Sequence, residues 1–176
     1  KIGSGECNNY PLIKLISSFK KPMIVSTGMN KLQNVKKTFS ILKRNKIPHA
    51  FLHCVNLYPT NFKLVRMGRM TKFKKIFKQS VIGYSDHTEG VDVAKISMVL
   101  GAKIIEKHFT LNKKVKGPDI SCSMDKRELK NLIQFSNKMT MIFQKKDDLL
   151  KEENVTRNFA FHSVVSNKDI LKGEKF

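Results

Sequence analysis

The stretch Val81-Ile82-Gly83-Tyr84-Ser85-Asp86-His87-Thr88 runs from an apolar strand directly into polar, titratable residues. After one helix-length interval, Ala102-Lys103-Ile104-Ile105-Glu106-Lys107-His108-Phe109-Thr110 repeats the pattern. An apolar strand that turns abruptly polar is how an α/β enzyme sets chemistry at the carboxyl edge of a parallel sheet. Both segments end in a histidine near a carboxylate, so two neighbouring strand ends can bring two imidazoles to one metal ion. That pairing points to an enzyme.

Working outward, residues 22–28 and 50–56 read as further buried strands, each closing in a turn, and residues 1–4 read as the end of another. Leu32, Val35, Phe39 and Leu42 recur at helical spacing, with lysines on the opposite face. Residues 64–77 and 91–100 carry helical patterns, and Asp125 with Glu128 forms a capping box for a helix running to about Phe143. Strand–helix alternation implies parallel strands joined by right-handed crossovers. A doubly wound sheet and a (β/α)8 barrel both fit. The dinucleotide fingerprint is absent, because Gly3-Ser4-Gly5 lacks its third glycine. Four strands and the end of a fifth amount to roughly half of an eight-stranded barrel. Either is an α/β fold; the count is consistent with the later strands of a barrel, and the doubly wound sheet stays open on the residues alone.

The net charge is +20. Clustered Lys and Arg would suggest nucleic-acid binding. Here the lysines are spread over every predicted helix, and the aromatics are mainly Phe at apolar positions. This dispersal favours a solvated lysine-rich surface, with some charge left to steer anionic substrates. A basic nucleic-acid-binding domain stays as the alternative of another class. No apolar run is long enough to span a bilayer, and no signal-peptide pattern is present. Three cysteines without a CxxC spacing fit reduced thiols in a cytoplasm, with Cys54 as a small core residue.

Alternate residues of a strand share a face, so Ser85 points with His87 and Glu106 with His108. At a barrel mouth these side chains converge. Two imidazoles with open positions suit Mn²⁺, Fe²⁺, Co²⁺ or Zn²⁺, any of which polarises a carbonyl oxygen. His49, His53 and His162 lack such a setting and read as structural or surface residues. Ser4, Ser26, Asn56 and Ser85, together with Lys1, make a candidate anion pocket, although each of the four taken singly fits a turn residue.

The motifs Lys-Ile-Gly-Ser-Gly-Glu (1–6), Ser-Thr-Gly-Met (26–29), His-Cys-Val-Asn-Leu-Tyr-Pro-Thr (53–60), Tyr-Ser-Asp-His-Thr (84–88), Glu-Lys-His-Phe-Thr (106–110) and Gly-Pro-Asp-Ile (117–120) resemble the sialic acid (N-acetylneuraminate) synthase family. The resemblance covers essentially the whole chain. It implies a TIM barrel that condenses phosphoenolpyruvate with an N-acetylhexosamine such as N-acetylmannosamine and releases phosphate. Related nonulosonate synthases (legionaminate, pseudaminate or spore-coat polysaccharide) are the near alternative. By the same resemblance, His87 and His108 bind a divalent metal, Mn²⁺ first, with Mg²⁺ or Co²⁺ as alternatives. Lys1, Ser4, Ser26, Asn56 and Ser85 hold phosphoenolpyruvate, Tyr58 and Asp119 contact the sugar, and Glu106 is the catalytic carboxylate beside the metal. The implied chemistry is attack of phosphoenolpyruvate carbon 3 on the open-chain aldehyde, water addition at carbon 2, and loss of phosphate by C–O cleavage.

Residues 145–158 turn charged and polar and read as a linker, and residues 159–165 begin a strand-like segment; with these bounds the resemblance implies a partial barrel at 1–144 and, at 159–176, the start of a small β-rich antifreeze-like (SAF) domain. It implies a cytoplasmic homodimer with neither nucleic acid nor membrane as partner. In that family, further substrate contacts come from the front half of the barrel and from the partner subunit. The 176 residues alone are therefore expected to be inactive and poorly soluble.

Overall fold

The computed structural model describes residues 1–144 and 148–175. Residues 1–142 and 143–176 form separate units.

In the first unit, the strands β1 (Met23–Ser26), β2 (His49–Cys54), β3 (Val81–Asp86) and β4 (Ile105–Lys107) alternate with helices. These helices are α1 (Tyr10–Ser18), α2 (Leu32–Arg44), α3 (Gly68–Ile76), α4 (Asp92–Val99) and α5 (Lys126–Ile142). All strand pairs are parallel, and the spatial order is β1-β2-β3-β4. A doubly wound sheet reverses its strand order at a switch point, whereas a barrel adds strands in sequence. The observed order is that of a half-barrel. Ile2 extends it as expected: it bridges Val25 in parallel, its N–H donating to Ile24 O at 2.8 Å.

The residues on one face of the sheet build the core. Met23, Val25, Phe51, Ile82 and Tyr84 alternate outward and pack with Ile13, Val35, Leu42, Met70, Phe73 and Phe77 from the helices. The opposite parity carries Ser26, Leu52, Cys54, Gly83, Ser85 and Glu106, paired across the sheet as Ser26–Leu52, Leu52–Gly83, Cys54–Ser85 and Ser85–Glu106. One period-2 pattern thus divides packing from chemistry. Gly83 is required at its position because a Cβ there would collide with the Ile104 carbonyl oxygen and with Leu52. Gly83→Ala is expected to destabilise the protein by about 1–3 kcal/mol through overpacking, measured by equilibrium denaturation. Unchanged stability would show that the neighbouring strand yields.

The capping box forms as the sequence predicts. Asp125 N–H donates to Glu128 Oε2, and Glu128 N–H to Asp125 Oδ1, both at 2.9 Å. Helix α1 was not among the expected elements. Asn9 caps it by accepting from Leu12 N–H, and Pro11 sits in its first turn, where a missing N–H leaves no bond unmade.

In the second unit, helix α6 (Asn154–Ala160) occupies ground expected to be linker and strand start. Residues 161–165 carry no strand, which corrects the strand expected at 159–165. A strand needs a ladder partner for its backbone, and none is present among the described residues of this unit. Residues 145–147 of the expected linker, and residue 176, lie outside the described residues.

Candidate active site

The carboxyl ends of β2, β3 and β4 place the titratable residues. His87 leaves β3, and its Nδ1 lies 2.7 Å from Val55 O. That bond puts the ring proton on Nδ1 and leaves the Nε2 lone pair available, the arrangement by which a second partner orients a metal-binding imidazole. Burial lowers the pKa of His87, outweighing the carbonyl bond that raises it, and the neighbouring His108 lowers it further. A neutral ring is the ligating form. The two imidazole centroids are 5.5 Å apart. The Tyr58 ring lies 4.1 Å from His87 and 5.8 Å from His108. Two neighbouring imidazoles form a donor set that fits a divalent transition metal.

Glu106 is tied on both sides. Ser85 Oγ donates to its Oε1 at 2.8 Å, and Lys1 Nζ lies 2.7 Å from its Oε2. Burial alone would raise its pKa, but the hydrogen bonds from Lys1 and Ser85 prevail and lower it. Glu106 is therefore held as a carboxylate. This chain of three residues joins the candidate phosphate-binding group (Lys1, Ser85) to the catalytic candidate.

Ser4 and Asn56 meet at Gly28. Gly28 N–H donates to Ser4 Oγ at 3.0 Å, and a Cβ on Gly28 would run into Asn56 Oδ1. Asn30 Nδ2 donates to the Ser4 and Gly28 carbonyls, at 2.7 and 2.8 Å, and fixes this turn. Ser26 is 3% exposed, and its hydroxyl has no hydrogen-bond partner among the described residues. A buried orphan hydroxyl is costly unless something bonds it. That is the condition of a group waiting for a ligand atom. If Asn56 holds phosphoenolpyruvate as the family resemblance implies, Gly28→Ala in the whole protein displaces it and raises the KM for that compound about tenfold or more, since a hydrogen bond to a charged ligand is worth about 1.5–3 kcal/mol. An unchanged KM in steady-state kinetics would separate Asn56 from substrate binding.

Asp119 reaches the site from a loop, with Oδ2 3.9 Å from His108 Nδ1, beyond hydrogen-bond distance. His108, Asp119 and Cys122 bring one ligand atom each within 4.8 Å of one another. Of the residues expected from the sequence, Ser26, Asn56, Ser85, His87, Glu106 and His108 lie at or just past the carboxyl ends of β1 to β4, Asp119 lies in a loop, and Lys1, which precedes Ile2, reaches Glu106 through its side chain.

Two expectations need amendment. Asp86 is no companion of His87. Its carboxylate faces the other way, accepting from Lys107 Nζ at 2.9 Å and from the Thr88 hydroxyl at 2.8 Å, and the side chains of both ion-pair partners are fully buried. The parity that puts Ser85 with His87 sends Asp86 to the opposite face. Cys54 is buried, but on the site side of β2, with Sγ 3.8 Å from His87 Nδ1 and 3.3 Å from Asn56 Oδ1. Its position two residues before Asn56 carried that signal. His53 is structural as expected, its Nε2 2.7 Å from Val65 O. His49 bonds Ser80 and the Ile47 carbonyl.

Residues 1–148 match the model of the NeuB family. The chain belongs to the NeuB family. It is 39% identical over 182 residues to the N,N'-diacetyllegionaminic acid synthase of Campylobacter jejuni, covering 100% of this chain and 54% of that protein. It is 40% identical over 133 residues to the N-acetylneuraminate-9-phosphate synthase of Drosophila melanogaster, covering 75% of this chain and 36% of that one. Among solved structures, the N-acetylneuraminic acid (sialic acid) synthetase of Leptospira borgpetersenii in complex with citrate superposes with a TM-score of 0.80 at 28% identity. That match covers 90% of this chain and 57% of the synthetase. This NeuB chain thus spans about half the length of the legionaminic acid synthase and less of the Drosophila relative. Among its described residues no helix is long and apolar enough to cross a membrane.

Proposed function

We propose that this chain supplies the later barrel strands of a nonulosonate synthase that joins phosphoenolpyruvate to an N-acetylhexosamine and releases phosphate. The observation that carries the reading is the convergence of His87 and His108, 5.5 Å apart, beside the Lys1–Glu106–Ser85 chain. A divalent ion bound there supplies Lewis-acid polarisation of the sugar aldehyde. The protein's own groups do the rest. Lys1, Ser4, Ser26, Asn56 and Ser85 bind the phosphate and carboxylate of phosphoenolpyruvate and orient carbon 3 toward the aldehyde. Glu106, ionised and fixed from two sides, orients the water that adds at carbon 2 or takes its proton. Tyr58 and Asp119 flank His87 and His108 and offer a ring face and a carboxylate to the sugar.

The acceptor taken first is N-acetylmannosamine, giving N-acetylneuraminate. Legionaminate and pseudaminate precursors are the competing acceptors, because the relatives' names divide among these products. The whole protein is read as a cytoplasmic homodimer whose residues 159–176 open an antifreeze-like domain. Phosphate release from phosphoenolpyruvate with Mn²⁺, measured across a panel of N-acetylated hexosamines, tests the reading. Release with one panel member, and none from residues 1–176 alone, is the expected result. Silence across the panel, or steep salt-dependent DNA binding without any metal effect, would contradict it.

A further inference from the structure

We infer that His108, Asp119 and Cys122 form a soft-metal site, selective for Zn²⁺ or Cd²⁺, that shares one imidazole with the catalytic centre. The three residues bring an N, an O and an S ligand atom within 4.8 Å of one another. Nitrogen, oxygen and sulfur are the donors of a tetrahedral zinc site, with a fourth position left for water. A thiolate favours Zn²⁺ and Cd²⁺ over the harder Mn²⁺ and Mg²⁺.

The backbone already fixes the trio. Phe109 and Met124 form a parallel bridge, Met124 N–H donates to His108 O at 2.8 Å, and Thr110 N–H to Met124 O at 2.9 Å. Cys122 Sγ lies 3.3 Å from the Asp119 carbonyl, and Ser123 Oγ donates to that same carbonyl at 2.8 Å. The loop bearing Asp119 and Cys122 is thereby laced to the exit of β4. A tetrahedral ion with bonds of about 2.0–2.3 Å holds its ligand atoms roughly 3.5 Å apart, so the trio must draw in by about 1 Å. The His108 and Asp119 side chains are 36% and 49% exposed and have room for that movement. On binding, the Cys122 S–H bond breaks, its proton passes to solvent and a sulfur–metal bond forms.

A neutral imidazole has one acceptor lone pair. His108 therefore serves this ion or the one shared with His87, not both, and Zn²⁺ acts as an inhibitor that competes with Mn²⁺. The competition rests on the proposed catalytic role of His108, whereas the binding itself does not.

The test is cobalt substitution of the whole protein, read by absorption with no assay of activity. Wild-type protein titrated with Co²⁺ is expected to develop one sulfur-to-cobalt charge-transfer band, which Zn²⁺ displaces at one equivalent. Cys122→Ser is expected to abolish the band, His108→Ala to weaken Co²⁺ binding at least tenfold, and Cys54→Ser to leave the band in place. Absence of the band in wild type would overturn the inference, independently of how any variant folds. So would a band that survives Cys122→Ser and disappears in Cys54→Ser, because the thiolate would then be the one beside His87. In the phosphate-release assay, Cys122→Ser is expected to raise the half-inhibitory Zn²⁺ concentration at least tenfold, relative to that variant's own Mn²⁺ rate.

Discussion

On the proposed reading, replacing either His87 or His108 by Ala in the whole protein is expected to lower Mn²⁺-dependent phosphate release from phosphoenolpyruvate at least a thousandfold. A Lewis acid at a developing alkoxide is worth several kcal/mol, and about 4 kcal/mol corresponds to three orders of magnitude in rate. Beside His87 no second imidazole other than His108 stands ready: Tyr58 lies tilted against His87 and edge-on to His108, and the thiol beside His87, Cys54, already faces Asn56 Oδ1. Metal content should fall with activity, while the circular dichroism spectrum stays that of the parent. The effects should be grossly non-additive, since two ligands of one ion act as a unit. If the double variant multiplied the two losses, the histidines would be working at separate steps.

The second large effect concerns stability. Asp86→Ala leaves the Lys107 ammonium with no exposed surface and, among the described residues, only the Thr88 carbonyl, 2.7 Å away, as a partner. Breaking one side of a fully buried ion pair costs about 3–5 kcal/mol, because the remaining charge is uncompensated. Asp86→Ala should show that loss in equilibrium denaturation. The double variant Asp86→Leu/Lys107→Met removes both charges and should recover most of it. A single variant within about 0.5 kcal/mol of the parent would mean that water reaches Lys107. The pair also connects β3 to β4 directly beneath His87 and His108, so its loss is expected to loosen the metal site as well as the fold.

Much of this was legible in the sequence for definite reasons. Apolar runs of strand length between amphipathic stretches specify parallel alternation. The polar residues at each run's carboxyl end specify where the chemistry lies, and period-2 parity then sorts Ser85 with His87 and Glu106 with His108. Strand order is a property of the folded sheet, so the residues alone leave a barrel and a doubly wound sheet both open, and it is the family resemblance that implies the barrel.

Three features stayed hidden. Helix α1 begins at Tyr10-Pro11, where proline reads as a breaker unless it is placed in the first turn. The partner of Asp86 is Lys107, one strand away, and the likeness of the two segments suggests a carboxylate for each histidine rather than a buried cross-strand pair. Cys122 approaches His108 only because the loop after Gly117-Pro118-Asp119 is bridged back to Phe109. That contact depends on loop closure, which spacing does not encode. The tail differs in kind. A strand pattern at 159–165 is only potential until a partner strand pairs with it, and the described residues of that unit provide none.

On the proposed reading, two strand-end imidazoles hold one divalent ion beside an ionised Glu106. Anomalous diffraction from crystals of the whole protein soaked in Mn²⁺ tests it most directly. A single strong peak within coordinating distance of the Nε2 atoms of both His87 and His108 is the expected result. A peak that engages neither ring, or two separate peaks at the two histidines, would contradict it.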